Sequence, residues 1–94
     1  MSNSIIIHSP DENKFFLMDG VSKIGHLGYE LIEDIIYVDT TYIDPNFRNG
    51  FGGKKLVDEC VSYARENGFK IHPRCSFVVR LFEKGKRYND IKVI

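Results

Sequence analysis

A glycine-rich connection between a strand pattern and a helix pattern constrains this chain more than any other feature. β-branched and aromatic residues at 35–43 end before Pro45, three glycines lie between 50 and 53, and an apolar helical period starts at Leu56. Glycine lets a backbone approach a ligand closely, and the first amides of a helix point outward at the positive end of its dipole. This order of elements predicts a phosphate-binding loop. A tight turn explains the glycines about as well, because a short glycine-rich loop is a weak signal.

Four segments at the start of the chain have the composition of strands. Residues 5–8 and 14–18 are short apolar runs closed by turn residues. Residues 21–33 contain glycines that disfavour a helix and predict a bulge near Gly28. Residues 35–43 form the strongest strand pattern, which we expect at the centre of the sheet. Together these segments predict an antiparallel meander.

The segment after the loop has the pattern of an amphipathic helix, which Gly68 ends. Residues 69–72 would then return parallel to residues 35–43, which completes a right-handed strand-helix-strand crossover. The helix is expected to pack on the sheet through one apolar stripe, formed by Leu56, Val57, Cys60, Val61 and Ala64.

The C-terminal part of the chain predicts a second, short helix. Apolar residues recur with a helical period over 77–82, and Gly85 follows. Residues 88–94 either add a final strand or simply pack on the core. The predicted fold class is α+β, with an antiparallel meander, one parallel crossover and a short C-terminal helix in a single domain over residues 1–94.

Length and composition exclude several classes of protein. The chain has 94 residues, of which 43% are apolar, which suits one small domain. It contains no apolar run near the roughly 20 residues that span a bilayer, and its first residues do not resemble a leader, so we expect a cytoplasmic protein. Two cysteines form no disulfide framework, and three histidines lack the spacing of metal ligands, so no metal site is predicted.

Charge is divided unevenly along the chain although the formal net charge is zero. Residues 1–47 contain two basic and eight acidic residues, a net charge of −6, so residues 48–94 carry +6. Such a division favours one surface that attracts phosphates and another that attracts amines. The neutral total and the acidic first half argue against a dedicated nucleic-acid-binding protein.

Cys75 is a candidate nucleophile, because it lies between a predicted parallel strand and a predicted helix, near Arg74 and Arg80. Helix-terminal amides and nearby cations favour the thiolate form of cysteine. His72 precedes it by three residues and is the only nearby candidate base. The alternative, a buried and inert thiol, is favoured by the local sequence alone.

Carboxylates offer a second route to proton transfer from an amine. Strand alternation would place Asp39 and Thr41 on one side of the strand over residues 35–43, together with Tyr37 and Ile43. Glu30, on the preceding strand, is the competing candidate. Ordinary solvent exposure explains either acid equally well.

The order of elements and several motifs resemble GNAT-type N-acetyltransferases, and most closely their small single-domain, acetyl-CoA-binding subfamily. Arg48-Asn49-Gly50-Phe51-Gly52-Gly53-Lys54-Lys55-Leu56 resembles the family's loop of arginine or glutamine and glycines that runs into a helix. Ala64-Arg65-Glu66-Asn67-Gly68-Phe69-Lys70-Ile71 is similar to the end of that helix. Pro73-Arg74-Cys75-Ser76-Phe77-Val78, with the later Tyr88, resembles a signature of the small subfamily.

This resemblance implies an acetyl-CoA cofactor and an N-acetyltransferase activity on an unidentified amine: a small amine, a peptide or a protein lysine. It places Cys75 near the thioester as the candidate catalytic residue. The pantetheine arm would pair with the backbone of Tyr42, Ile43 and Asp44. The pyrophosphate would bind the amides of Arg48, Asn49, Gly50, Phe51, Gly52, Gly53 and Lys54.

Two positions differ from the family's pattern. Phe51 replaces the middle glycine of the loop, and Thr40 replaces a histidine that the small subfamily often carries on the strand before the loop. These differences support an alternative function, a non-catalytic acyl-CoA-responsive or protein-interaction module with the same fold.

Overall fold

Five strands form one mixed sheet whose order follows the chain. The computed structural model describes residues 4–93. Four strands pair antiparallel in succession, and the fifth runs parallel to the fourth. With two helices, this arrangement confirms the predicted fold class. The strands are β1 (Ser4–Ser9), β2 (Lys14–Asp19), β3 (Ser22–Ile32), β4 (Ile35–Ile43) and β5 (Lys70–Pro73).

Helix α1 (Gly52–Asn67) forms the crossover from β4 to β5. Each of the five apolar residues predicted to face the sheet is at most 2% exposed. Gly68 follows the helix with a left-handed φ of 72°, which glycine adopts without a steric penalty. Because α1 begins at Gly52, two glycines of the predicted loop belong to its first turn.

Strand β3, not β4, is the middle strand of the sheet. The expectation that β4 lies at the centre is therefore wrong, although β4 does have a neighbour on each side. The reason is topological. β2, β3 and β4 each pair with the strand that precedes them in the chain. Only β5, which follows the crossover helix, can therefore lie beyond β4.

A bulge interrupts the ladder between β3 and β4. Tyr29 lies opposite Val38, but Gly28 lies opposite Thr40, so Asp39 is an extra residue on β4. The predicted position near Gly28 is confirmed, but the extra residue lies on β4 and not on β3, where it was expected. A bulge shifts the alternation of side chains by one residue, so β4 changes face at this point.

The bulge overturns the expected arrangement of side chains on β4. Thr41 lies opposite the fully buried Leu27, on the core face of the sheet. Asp39 is exposed and contacts groups of the other face. The prediction that Tyr37, Asp39, Thr41 and Ile43 all share one side is therefore wrong. Strict alternation of side chains holds only in an uninterrupted strand.

Helix α2 (Ser76–Glu83) follows β5 closely and directs Val78 and Phe82 into the core. Its last turn ends at Lys84, one residue before the predicted Gly85. Both helices contribute to one buried cluster on one face of the sheet. None of the helices within residues 4–93 has the length and apolar character needed to cross a membrane.

The C-terminal segment packs on the core and adds one bridge rather than a strand. Tyr88 and Ile91 are buried. The Ile71 amide donates a hydrogen bond of 2.6 Å to the Ile91 carbonyl, and the Val93 amide donates one of 2.7 Å to the Ile71 carbonyl. Of the two alternatives for this segment, the structure supports packing, with a single parallel bridge between Ile71 and Lys92.

Candidate active site

A gap opens between β4 and β5 after Val38. The parallel ladder ends with the pair Val38 and Pro73. The Val38 carbonyl accepts hydrogen bonds from the amides of Arg74 and Cys75, at 2.9 and 3.1 Å, where the chain turns from β5 into α2. Strand β4 continues for five further residues, 39–43. Within the described residues, this part of β4 has a strand partner on the β3 side only.

The backbone of Thr41 and Ile43 faces this gap. The Asp44 amide donates to the Ile24 carbonyl at 2.8 Å, so Asp44, Tyr42 and Thr40 form the hydrogen-bonded pairs with β3. In an antiparallel ladder the residues between such pairs direct their N–H and C=O groups to the other side. Of the three residues expected to pair with a pantetheine arm, only Ile43 faces the gap, because Tyr42 and Asp44 direct their backbone groups towards β3. The Ile43 carbonyl accepts a bond of 2.7 Å from Arg48 Nε.

A cavity of about 520 Å³ occupies the end of the gap, between β4, the loop and the two helices. Eight of the predicted cofactor-binding residues line it: Tyr42, Ile43, Arg48, Gly50, Phe51, Gly52, Gly53 and Lys54. Asp44 and Asn49 do not line it. The Asp44 carboxylate instead accepts a bond of 2.9 Å from the Asn46 amide. Sequence reasoning missed the other lining residues, which are Thr41, Phe47, Phe77, Leu81 and Lys84.

The first turn of α1 presents unpaired backbone donors at this cavity. The helical ladder begins with the Lys55 amide, which donates to the Phe51 carbonyl at 2.9 Å. The three preceding amides, of Gly52, Gly53 and Lys54, therefore have no acceptor within the helix. Phe51 occupies the N-cap position and provides no capping side chain. All three amide-bearing residues line the cavity.

The charged lining of the cavity is entirely basic. Among residues 4–93, Arg48, Lys54 and Lys84 line it, and no carboxylate does. Together with the positive end of the α1 dipole, these cations favour an anionic guest. Lys54 Nζ also donates to Asp58 Oδ2 at 2.7 Å. Burial alone would raise the pKa of Asp58, but the hydrogen bonds from Lys54 and Tyr88 lower it overall.

Two of the loop's glycines pack closely against neighbouring side chains. A Cβ atom on Gly52 would lie 2.7 Å from Leu17 Cδ2, and one on Gly53 would lie 2.9 Å from Phe77 Cζ. Both separations are shorter than van der Waals contact. A Cβ on Gly50, by contrast, would meet no atom within 4 Å. Because these glycines have no side chain, the start of α1 packs closely against β2 and α2.

Cys75 lies next to the cavity but does not line it. The residue is the N-cap of α2 and is half-buried. Its Sγ lies 3.8 Å from Oγ1 of Thr41, which does line the cavity. Cys60 differs, since it lies in the core and burial raises its pKa to about 12.

Two neighbours that the sequence suggested for Cys75, Arg74 and His72, have their side chains on the opposite face of the sheet. The Arg74 guanidinium donates to Asp39 at 3.0 Å and to Glu30 at 3.2 Å, and it stacks 4.4 Å above the Tyr37 ring. The His72 ring lies 5.3 Å from the same tyrosine ring. Arg74 therefore forms ion pairs with Asp39 and Glu30, the two carboxylates considered as candidate bases. Within residues 4–93, no group of three acidic, histidine or cysteine residues is arranged to hold a metal ion.

In this α/β protein a helix start and a strand end open into one basic cleft. The sequence profile of the GCN5-related N-acetyltransferase family matches residues 14–91, so the chain belongs to that family. Members of this family generally use acetyl-CoA as co-substrate. A comparison with curated protein sequences gave no match.

Solved structures agree with this assignment. The NMR structure of a GCN5-like protein from Staphylococcus aureus has 33% sequence identity to this chain and a TM-score of 0.76. The match covers 99% of this chain and 91% of the Staphylococcus aureus protein. Two more distant structures share the fold. An aminoglycoside acetyltransferase from an uncultured soil metagenomic sample, in complex with sisomicin, is 19% identical over 81% of this chain and 50% of its own, with a TM-score of 0.62. N-acetylglutamate synthase from Neisseria gonorrhoeae, complexed with coenzyme A and N-acetyl-glutamate, is 14% identical over 72% of this chain and 18% of its own, with a TM-score of 0.58.

Proposed function

We propose that this protein binds acetyl-CoA in the cleft between β4 and α1 and transfers the acetyl group to an amine. The observation that carries this proposal is the continuity of the gap after Val38 with the cavity at the start of α1. Backbone donors of two kinds, from an unpaired strand edge and from a helix terminus, meet in one elongated site. Such a site suits a ligand that is amide-bearing at one end and phosphorylated at the other.

Each part of the cleft has a distinct role in this proposal. The backbone groups of Thr41 and Ile43 pair with the amides of the pantetheine arm, as an added strand would. The amides of Gly52, Gly53 and Lys54 donate to the pyrophosphate. Phe77 closes the side of the cleft, since its ring lies against the Gly53 backbone.

The thioester supplies an activated acetyl group, and the protein has to position it against a nucleophile. In one route the amine nitrogen attacks the thioester carbon directly, the bond from that carbon to the CoA sulfur breaks, and the CoA thiolate takes up the proton that the amine loses. In the other, the Cys75 thiolate attacks that carbon, the CoA sulfur departs and takes up a proton, and the amine then attacks the acetylated Cys75 and restores its thiol. The contact between Cys75 and Thr41 is what supports a role for this cysteine.

An acetyl-CoA titration followed by amide NMR shifts tests the binding site. We expect the largest shifts at Thr41, Ile43 and the three amides of the first turn of α1. The strand β1, on the far edge of the sheet, provides the internal control and should shift little. If millimolar acetyl-CoA left the amides of the cleft unchanged, the proposal would be wrong.

Mass spectrometry separates the two routes. Incubation with acetyl-CoA should give a 42 Da adduct by the Cys75 route, and the adduct should be absent in Cys75→Ala. Cys60→Ala is the matched control, because Cys60 is buried in the core and should leave the adduct unchanged. Turnover of an amine by Cys75→Ala, with no adduct in the unmodified protein, would establish direct attack. Binding without turnover or adduct would support the non-catalytic module.

A further inference from the structure

The mouth of the cavity carries an aromatic ring that the phosphate-binding role does not explain. Phe51 is 77% exposed, whereas a phenylalanine side chain is ordinarily buried. It lies between Gly50 and Gly52, so no adjacent side chain covers it. Its backbone is fixed, because its carbonyl accepts the first hydrogen bond of α1. The ring is therefore presented to solvent at a defined place.

The surroundings of this ring combine apolar and cationic groups. Phe47, which is 41% exposed, lines the same cavity. Arg48 and Lys84 line the same cavity and give it positive charge. A flat ligand that carries phosphates matches such a lining better than an acyl chain or an acidic peptide does, because it uses both the rings and the cations. A nucleotide has this chemistry.

We propose that Phe51 stacks on the adenine base of bound CoA and makes the mouth of the cavity selective for acyl donors that carry the nucleotide. The inference rests on the proposed function, since it concerns the far end of the same ligand. Its consequence is that an acyl phosphopantetheine without the nucleotide, as on a carrier protein, binds this protein less tightly than the CoA thioester does. Phe51 is a binding residue in this scheme and not a catalytic one.

Affinities for two ligands test the proposal. Stacking of a base on an aromatic side chain changes affinity by roughly ten- to a hundredfold. Phe51→Ala should therefore weaken CoA binding by about tenfold and leave the binding of 4′-phosphopantetheine within about twofold of the unmodified protein. Phe51→Tyr, which keeps an aromatic ring, should retain CoA affinity. Val21→Ala is the matched control for loss of an exposed apolar side chain, since Val21 is 97% exposed and does not line the cavity.

A fluorescence experiment adds a direct readout of contact. The chain contains no tryptophan, so Phe51→Trp introduces a single indole at this position. Its emission should be quenched by CoA and by adenosine 3′,5′-bisphosphate, and not by 4′-phosphopantetheine. Equal weakening of both ligands in Phe51→Ala, or no weakening of CoA, would overturn the inference. Unmodified protein that binds no CoA would instead refute the proposed function itself, so the two failures are distinguishable.

Discussion

Strand β4 consists of two halves that a bulge at Asp39 separates. Residues 35–38, the paired half, hydrogen-bond to β3 and to β5, and Ile36 and Val38 are at most 1% exposed. Residues 39–43, the open half, pair with β3 alone, and three of them line the cavity. The sequence of both halves is β-branched and aromatic. One strand thus belongs to the core in its first half and lines the cavity in its second.

The difference between the halves arises in the neighbouring strand. β5 ends at Pro73, and the next two amides both bond to the Val38 carbonyl, which turns the chain away from β4. Proline has no N–H with which to continue a ladder. The open edge of β4 therefore results from the early end of β5 and not from a special composition of β4 itself.

Substitution of one isoleucine in each half should give the largest difference. Ile36→Ala removes a fully buried side chain from the paired half and should lower the free energy of unfolding by roughly 3 kcal/mol. Ile43→Ala, in the half-buried open part, should lower it by only about 1 kcal/mol and should weaken acetyl-CoA binding. Urea unfolding of both variants measures the first effect and calorimetry the second. Similar losses of stability would remove the distinction between the halves.

The two cysteines provide a second test, because Cys60 packs in the closed core whereas Cys75 lies beside the open half. At pH 8, Cys75 should react with iodoacetamide at least about a hundredfold faster, since burial raises the pKa of Cys60 to about 12 and leaves little thiolate. Acetyl-CoA should slow the reaction of Cys75. Peptide mass spectrometry over time gives both rates, and comparable rates would contradict the assigned burial.

Glycine substitutions at two positions sharpen the description of the site. Gly53→Ala places a Cβ 2.9 Å from the Phe77 ring and should destabilise the protein by about 1 kcal/mol, because the helix start and α2 have to separate. Gly85→Ala is the matched control, since its Cβ meets no atom within 4 Å. Thermal unfolding compares them. Equal stability of the two variants would show that the contact between α1 and α2 is loose.

The smallest effect expected is a pH dependence at His8, whose partner Tyr29 lies opposite the paired half of β4. His8 Nε2 lies 2.7 Å from the Tyr29 hydroxyl. Burial lowers the pKa of His8 from its ordinary 6.5, an effect that Glu59 partly offsets. As the pH falls, the unfolded chain therefore takes up the proton before the folded protein does. The contribution of neutral His8 to the free energy of unfolding is complete above pH 6.5 and is lost as the pH falls towards the lowered pKa.

Urea midpoints at pH 7.5 and 5.5 measure this dependence. His8→Phe, which retains a ring but cannot titrate, should lose less stability between the two values than the unmodified protein does. Burial also lowers the pKa of His26, opposite Tyr42 in the open half, so part of the dependence should remain in this variant. An unchanged slope in His8→Phe would exclude His8 as a source.

The sequence was sufficient for the features that depend on local patterns. The amphipathic period of α1, its end at Gly68 and the return of β5 follow from residues that are near one another in the chain. The sequence also brought together residues that the structure places around one cavity, because eight of the predicted cofactor-binding residues line it. Their roles towards acetyl-CoA stay predictions until ligand binding is measured.

The features that the sequence did not reveal depend on contacts between distant residues. Phe77, Leu81 and Lys84 reach the cavity only because α2 packs beside the start of α1. Arg74 adjoins Cys75 in sequence, but its guanidinium bonds to carboxylates on the opposite face.

By itself, the amino-acid sequence determined which segments are strands and helices and where the basic, glycine-rich helix start lies. Only the tertiary structure decided that β4 gains an extra residue at Asp39, which of its side chains face the core, and where β5 leaves it. The physical reason is that periodicity and turn chemistry act over a few residues. Register, bulges and the edge of a sheet are set instead by the partner strands and by close packing, which no local pattern records.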